Sequence, residues 1–459
     1  MRFMDRLVRA IRLSTLALPM LLLAAGANAK VSPTEAAKLK KELTPLGATR
    51  ASNEAGTIPA WEGGITTPPP GYQRGKHRVD PYPSEKPLFT ITAANVEKYK
   101  DNLSTGQLAL FRRYPNTFRM NVYPTHRSAA YPQHVYDAVI ANATTAETAA
   151  GGNGVMNATI SSPFPIPQSG VEAIWNHLLR YRSIGGRHTF LQAVPTAGGD
   201  YTPVKMSEQM RIPYAVPGET IESINNKPIY FLQAVLAPPR LAGSLLLVHE
   251  TLNQVKEPRE AWTYNPGQRR VRRAPNVAYD DPGTAADGQR TSDQLDMFNG
   301  APDRYEWTLV GKKELYVPYN DYRLYSDKVP YSQIIQPGHP NPDLIRYELH
   351  RVWVVDARLR PDTSHIYARR TFYLDEDSWQ ALVVDQYDKR GELWRVSIGH
   401  AINYYEIPML WASVQTHHDL QNGRYVMYGL INEEAPEEMG ITLPADDFTP
   451  DALRRAGRR

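Results

Sequence analysis

The sequence predicts a mainly β protein with helices (α+β): a large curved antiparallel half-barrel packed on helices, preceded by a Pro-rich N-terminal arm. Three observations predict it. Residues 164–183 carry the clearest amphipathic helix pattern beyond the leader, with Val171, Ile174, Trp175, Leu178 and Leu179 at i, i+3, i+4, i+7 and i+8, hence on one face. After that helix the hydrophobic period falls from about 3.6 to about 2, and thirteen candidate strands follow, joined mostly by short turns that imply antiparallel neighbours. The 27 Tyr and 38 Pro favour sheets and extended arms over helix bundles.

In chain order, residues 1–29 read as a secretory signal peptide: Arg2, Arg6, Arg9 and Arg12, an apolar run over 13–25, then Ala27-Asn28-Ala29, with cleavage expected after Ala29. No later run is apolar and long enough to span a bilayer, so no transmembrane segment is expected in the mature chain. The absence of cysteine excludes a disulfide framework and a lipid-modified N-terminal cysteine, so the expectation is a periplasmic protein that is not a lipoprotein. The leader's four Arg and one Asp account for +3 of the formal +4. What remains is near neutral, which gives no electrostatic case for a nucleic-acid partner.

Residues 30–163 read as N-terminal helices and the Pro-rich arm. Ser32-Pro33-Thr34-Glu35 has the cap, proline and acid of a helix start, and a helix to about Leu43 follows. Residues 48–87 hold seven prolines and the anchors Trp61, Tyr72 and Tyr82; such a stretch cannot satisfy its own backbone and is expected to dock along something else. Residues 95–114 look helical with a break at Gly106, and 134–145 form a second helix.

Residues 164–432 are expected to form the curved sheet with its packing helix, which Ser169 and Glu172 start as a capping box. The strand from Tyr347 alternates apolar and polar residues, and Trp394, Val396, Ile398, Ile402 and Tyr404 are expected to share one face of the strand from Glu392. Polar residues 274–303, with a short helix near 292–298, and Pro-rich residues 328–344 interrupt the meander. Residues 433–459 form a C-terminal tail, docked or frayed.

No nucleophile elbow, zinc-protease helix, phosphate loop or dinucleotide fingerprint occurs, so no catalytic residue, cofactor or metal is expected. His249-Glu250 lacks a second ligand, and His417-His418 point to opposite faces of a strand. Asp375-Glu376-Asp377 and Asp280, Asp281, Asp293 and Asp296 fit no calcium loop and read as solvated turns. Asn176, His177, Arg180 and Arg182 on the packing helix read either as a grip on a lipid headgroup or partner, or as hydrogen-bonding groups that hold the arm and strand ends.

Two stretches carry a resemblance. LTPLGATRASNEAGTIPAWEGG (43–64) and FPIPQSGVEAIWNHLLRYR (164–182) resemble the signatures of the bacterial family called domain of unknown function 1329. The hairpins around AWTYNPGQRRVRR (261–273) and ARRTFYLDEDSWQALVVDQYDKRGELWRV (368–396) are similar to those of the LolA/LolB lipoprotein-sorting proteins. That likeness implies a half-barrel of LolA/LolB type cradling an acyl chain, and the family's setting implies a resistance-nodulation-division type exporter or outer-membrane protein as a partner. Periodicity leaves open whether the aromatic face is packed core or cavity wall; the resemblance favours a cavity.

The lining set is then Trp175, Leu178, Trp307, Leu309, Trp353, Val355, Trp394, Val396, Ile398 and Tyr404. The expected function is a periplasmic carrier for a lipid or other hydrophobic molecule, accessory to envelope transport and not an enzyme. The alternatives are an envelope scaffold that docks an exporter or outer-membrane partner without a ligand, and an uncharacterised hydrolase.

Overall fold

A computed structural model describes residues 30–457. The expected leader and its cleavage site lie outside the described residues. Among the described residues, no helix is long and apolar enough to cross a membrane.

The chain is mainly β with a few helices. Thirteen strands dominate: β1 (Gly185–Ala193), β2 (Val204–Arg211), β3 (Tyr230–Ala237), β4 (Leu245–His249), β5 (Glu260–Asn265), β6 (Arg270–Arg273), β7 (Tyr305–Pro318), β8 (Tyr347–Leu359), β9 (Arg369–Asp375), β10 (Ala381–Tyr387), β11 (Leu393–Asn403), β12 (Leu410–Asp419) and β13 (Tyr425–Leu430). They form one sheet in the spatial order β7 to β13, then β1 to β6, every neighbouring pair antiparallel. The two ends of this path, β6 and β7, are joined by no ladder among the described residues, so the sheet does not close into a barrel. Short strands at Phe89–Ile91 and Met120–Val122 add to β8 at Tyr347, and Glu438–Met439 adds to β1.

The helix that the sequence singles out spans Gly170–Leu179 and ends before the expected 183 because Arg180 turns to ψ 150°. Ser169 Oγ accepts from Glu172 N at 3.4 Å, while the Glu172 carboxylate reaches back to Gln168 N at 2.6 Å, one residue earlier than in the standard box. Arg180 and Arg182 fold back to donate to the last-turn carbonyls of His177 and Leu178, at 2.6 and 3.1 Å. Gly170 lets this helix sit directly on β7: a Cβ there would lie 2.6 Å from the Trp307 carbonyl carbon.

Strands β8–β12 are covered on both faces. One face packs on the helix and on residues 291–299; the other carries a second core in which Val352, Val383, Val396 and Ile398 meet Leu103, Leu110, Phe111 and Met120 from the N-terminal segment. The expected common face of Trp394 to Tyr404 is corrected here: Val396 and Ile398 belong to the outer core, Ile402 and Tyr404 to the inner one. A bulge between His400 and Ile402 adds one residue, and with a side-chain period of two that switches faces. A bulge between Leu309 and Gly311 does the same in β7, separating Trp307 and Leu309 from Leu315 and Val317.

The Pro-rich arm lies along the domain through aromatic contacts: Trp61 on Tyr136 at 6.2 Å, Tyr72 on Tyr405 at 5.2 Å, Tyr82 stacked on His126 at 3.9 Å. The Asp375-Glu376-Asp377 turn, read from sequence as solvated, is buried beneath this arm. Arg127 forks onto Asp377 at 2.9 and 2.6 Å, and Lys312 and Arg351 reach Glu376 at 2.7 and 2.8 Å. Asp293 and Asp296 are likewise buried in ion pairs instead of solvated. At the C-terminus, Leu443, Phe448 and Leu453 cover the outer face of β3–β5 against Leu247 and Tyr264.

Candidate functional site

The interior of β3–β5 is not filled. Between these strands and the insertion that follows β6 lies a cavity of about 460 Å³. Its floor is Phe231 and Gln233 of β3, Leu246 and Val248 of β4, and Thr263 of β5, with Leu245 and Tyr264, which pack in the outer cluster, at its margin. Its roof is Val277, residues 281–284, Arg290, Ser292, Leu295 and Asn299. Alternation explains the floor: Phe231, Val235, Leu246 and Val248 point inward, while Leu232, Leu247 and Trp262 point to the outer face that the C-terminal segment covers. A smaller recess of about 40 Å³ shares Phe231, Glu250, Leu295 and Asn299 and runs toward Glu208, Trp411 and Tyr428. A larger but more open groove of about 520 Å³ lies at the surface, with Asp200, Arg240, Asp287 and Arg424 in its walls.

The roof is fastened chiefly over β9–β12; elsewhere Asn299 holds Glu250 and Arg259, and Gln192 of β1 donates to the Thr284 and Ala285 carbonyls at 3.1 and 2.8 Å. Asp293 pairs with Arg370 at 2.5 Å and meets His365 at 3.1 Å; Gln294 reaches Ser397 at 3.1 Å and accepts from Tyr367 at 2.9 Å. Asp296 pairs with Arg180 at 2.5 Å and with Arg182. Burial alone would raise the Asp296 carboxyl, but these two guanidinium groups outweigh it and hold it down to about 2. These bonds fasten residues 291–298 over β9–β12. The remainder of the insertion stands off β3–β5, and the gap beneath it is the cavity.

The polar groups of the cavity differ in how well they are matched. Glu250 accepts from Arg259 at 2.7 Å and from Asn299 at 3.0 Å. Glu208, in the adjoining recess, accepts from Gln233 at 2.7 Å and from the Tyr428 hydroxyl. Arg290 is only 3% exposed, and among the described residues its side chain makes one hydrogen bond, to the Thr291 carbonyl at 3.3 Å, and its Nε has no partner.

The structure disperses the residues that the sequence groups as cavity wall. Trp307 packs among Phe298, Phe372 and Tyr305 at 5.5 to 5.7 Å, with Leu309 in the same core. Trp353 stacks on Trp379 at 5.9 Å, and Val355 is fully buried beside them. Val396 and Ile398 lie in the outer core. Trp394 donates to Asp419 at 3.0 Å, and Tyr404 lies under the Arg78 guanidinium at 3.5 Å. Trp175 and Leu178 border a recess of about 20 Å³. None of the ten lines the 460 Å³ cavity.

The helix polar residues point inward. Asn176 exchanges two hydrogen bonds with the Phe164 backbone at 2.7 and 2.6 Å. His177 accepts from Ala381 N at 3.2 Å and donates to the Asp296 and Phe298 carbonyls at 3.0 and 3.1 Å. Burial first, then the Arg180 charge, pushes its ring down to about 3, so it is neutral. Arg180 and Arg182 hold Asp296, although Arg182 also borders the small recess.

His350, Asp375 and Asp377 present ligand atoms within 4.8 Å of one another, the one such trio among the described residues. Burial, then Asp377, raises the Asp375 carboxyl to about 7. A cation here would have to displace Arg127 from both oxygens of Asp377, so the chemistry favours an ion-pair network that fastens the arm. The cavity residues Gln233, Leu246, Val248, Arg290 and Leu295 carry no motif in sequence. The one available signal is the alternation of β4, which periodicity reads as an ordinary strand.

Residues 90–454 match the family model described as Protein of unknown function (DUF1329). The chain belongs to this family. An uncharacterized protein of Pseudomonas aeruginosa is 53% identical over 450 residues, covering 98% of this chain and 99% of that one. Among solved structures, this family member is similar to a DUF1329 family protein from Desulfovibrio piger at 12% identity, TM-score 0.41, over 59% of this chain and 92% of that one. It is also similar to a LolA superfamily protein from Nitrosomonas europaea at 11% identity, TM-score 0.36, over 60% and 93%.

Proposed function

We propose that this protein is a periplasmic carrier that holds a lipid or other hydrophobic molecule in the cavity beneath residues 277–299, accessory to envelope transport and without covalent chemistry. The observation that carries the reading is the cavity itself. A volume of about 460 Å³ falls within the ~300–1,000 Å³ of small-molecule sites, and its floor of Phe231, Leu246 and Val248 is apolar with a few convergent polar groups. Burying a hydrocarbon chain there contributes about 0.8 kcal/mol per methylene, enough for retention without a bond being made.

The test is extraction of the protein purified from its host, followed by mass spectrometry, together with titration by a fluorescent fatty-acid probe. Expected are a co-purifying hydrophobic molecule and saturable probe binding that Val248→Phe weakens. A protein that yields no such molecule and binds no probe is not a carrier.

A second reading is a scaffold that docks a resistance-nodulation-division type exporter or outer-membrane protein. The solid packing of β8–β12, with Trp353 against Trp379, favours it for that part of the sheet. Co-purification of such a partner with Val248→Phe as efficiently as with the parent protein would support it.

A further inference from the structure

Arg290 is the least compensated charge around the cavity. It lines the roof, it is 3% exposed, and no carboxylate among the described residues lies within ion-pair distance of it. Its neighbours include the Thr291 carbonyl, the face of the Tyr428 ring at 4.9 Å, and Gly283, where a Cβ would lie 2.7 Å from Nη1. Glycine at 283 thus leaves room for the guanidinium. The other charges of the site are accounted for differently. Glu250 is neutralised by Arg259. Glu208 engages Tyr428, Gln233 and His188. Asp281, at the roof, is held neutral to a higher pH than usual by partial burial and by Asp280.

A buried guanidinium with no carboxylate in ion-pair contact carries a desolvation cost that its surroundings offset only in part. Burial lowers the Arg290 pKa, and the charges of Tyr428 and Glu208, the latter beyond ion-pair distance and already bonded to Tyr428 and Gln233, offset this only in part; the arginine remains protonated. Gln233 also lines the cavity; among the described residues its Oε1 has no partner, but as an acceptor it would take a donor and not an anion. A cationic group in the roof over a floor of Phe231, Leu246 and Val248 gives the hollow one charged point and a hydrocarbon surface.

We infer that the cavity takes a single-chain amphipathic anion, its carboxylate or phosphate head paired with Arg290 and its hydrocarbon tail against Phe231, Leu246 and Val248. This rests on the carrier reading and adds the class of molecule carried. The head group gains charge-assisted hydrogen bonds that an uncharged analogue cannot make.

The experiment is isothermal titration calorimetry of the purified protein with dodecanoate, dodecanol and inorganic phosphate, repeated on Arg290→Met and Arg290→Lys. Dodecanoate is expected to bind about tenfold or more tighter than dodecanol, a gap that Arg290→Met removes and Arg290→Lys partly keeps. Equal affinity for acid and alcohol, or an unchanged ratio in Arg290→Met, overturns the anchor and leaves the carrier reading standing. Binding of neither amphiphile overturns both. Phosphate binding that depends on Arg290, with no amphiphile bound, marks a free-anion site and also overturns the inference. Arg290→Met is expected to melt at or above the parent temperature, since it removes an uncompensated charge; should it not fold, the acid-to-alcohol ratio of Arg290→Lys decides.

Discussion

Strands β8–β12 and strands β3–β5 belong to one continuous sheet, yet the first group is packed on both faces and the second stands off from what covers it. In β10 and β12 almost every residue is buried; in β3 burial alternates, and in β5 only Ala261 and Tyr264 are buried. The difference lies in the cover. Over β9–β12 the insertion is held by Asp293, Gln294 and Asp296, each bonded to the sheet or the helix. Over β3–β5 the same insertion has few side-chain bonds to the strands below, and space remains. A curved sheet therefore becomes core or container according to where its covering segment is tied down.

The largest effect that would break this comparison is at the tie itself. Asp296→Ala leaves Arg180 and Arg182 buried without their partner and is expected to cost about 3–5 kcal/mol, read as a fall in the urea midpoint. A change under about 1 kcal/mol would mean that the roof is not fastened there.

Next come two phenylalanines in corresponding roles. Phe372→Ala, fully buried beside Trp307, is expected to cost about 3–5 kcal/mol; Phe231→Ala, on the cavity floor, should cost about half as much because its side chain already faces a void. Equal costs would mean that the cavity collapses in solution.

The packed region also predicts a pH signature. Burial raises the Asp385 carboxyl from 3.8 to about 6, against bonds from Gly106 N and Ser104 Oγ that lower it. The folded protein keeps this proton to a higher pH than the unfolded chain, so the stability it contributes is present below 3.8 and lost as pH rises through about 6. Asp385→Asn should therefore gain on the parent by up to about 3 kcal/mol between pH 4 and pH 7, measured as the difference in melting curves. His177 acts in the opposite sense: held neutral down to about 3, it removes stability as pH falls below 6.5.

The smallest effect is expected from filling. Val248→Phe in the hollow should shift stability by less than about 1 kcal/mol, whereas Val384→Phe in the packed region should cost about 1–3 kcal/mol. Similar penalties at both sites would remove the contrast.

The packing helix, its Ser169 cap, the strand order in sequence and the antiparallel meander are all legible in residue patterns, because each rests on contacts between near neighbours in the chain. The bulges at Leu309 and His400 are not, and each transfers half a strand to the opposite face. Aromatic periodicity cannot tell that Trp353 meets Trp379, or that Arg127 pairs with Asp377 beneath the arm. The acidic residues of the insertion look like surface turns until their arginines arrive from elsewhere in the sequence.

The sequence by itself determined the class of fold and the elements that build it, since burial periodicity and capping are local. The tertiary structure alone decided which face of which strands is hollow. That choice depends on the long-range ion pairs that tie the insertion down over β9–β12, and such pairs leave no periodic trace along the chain.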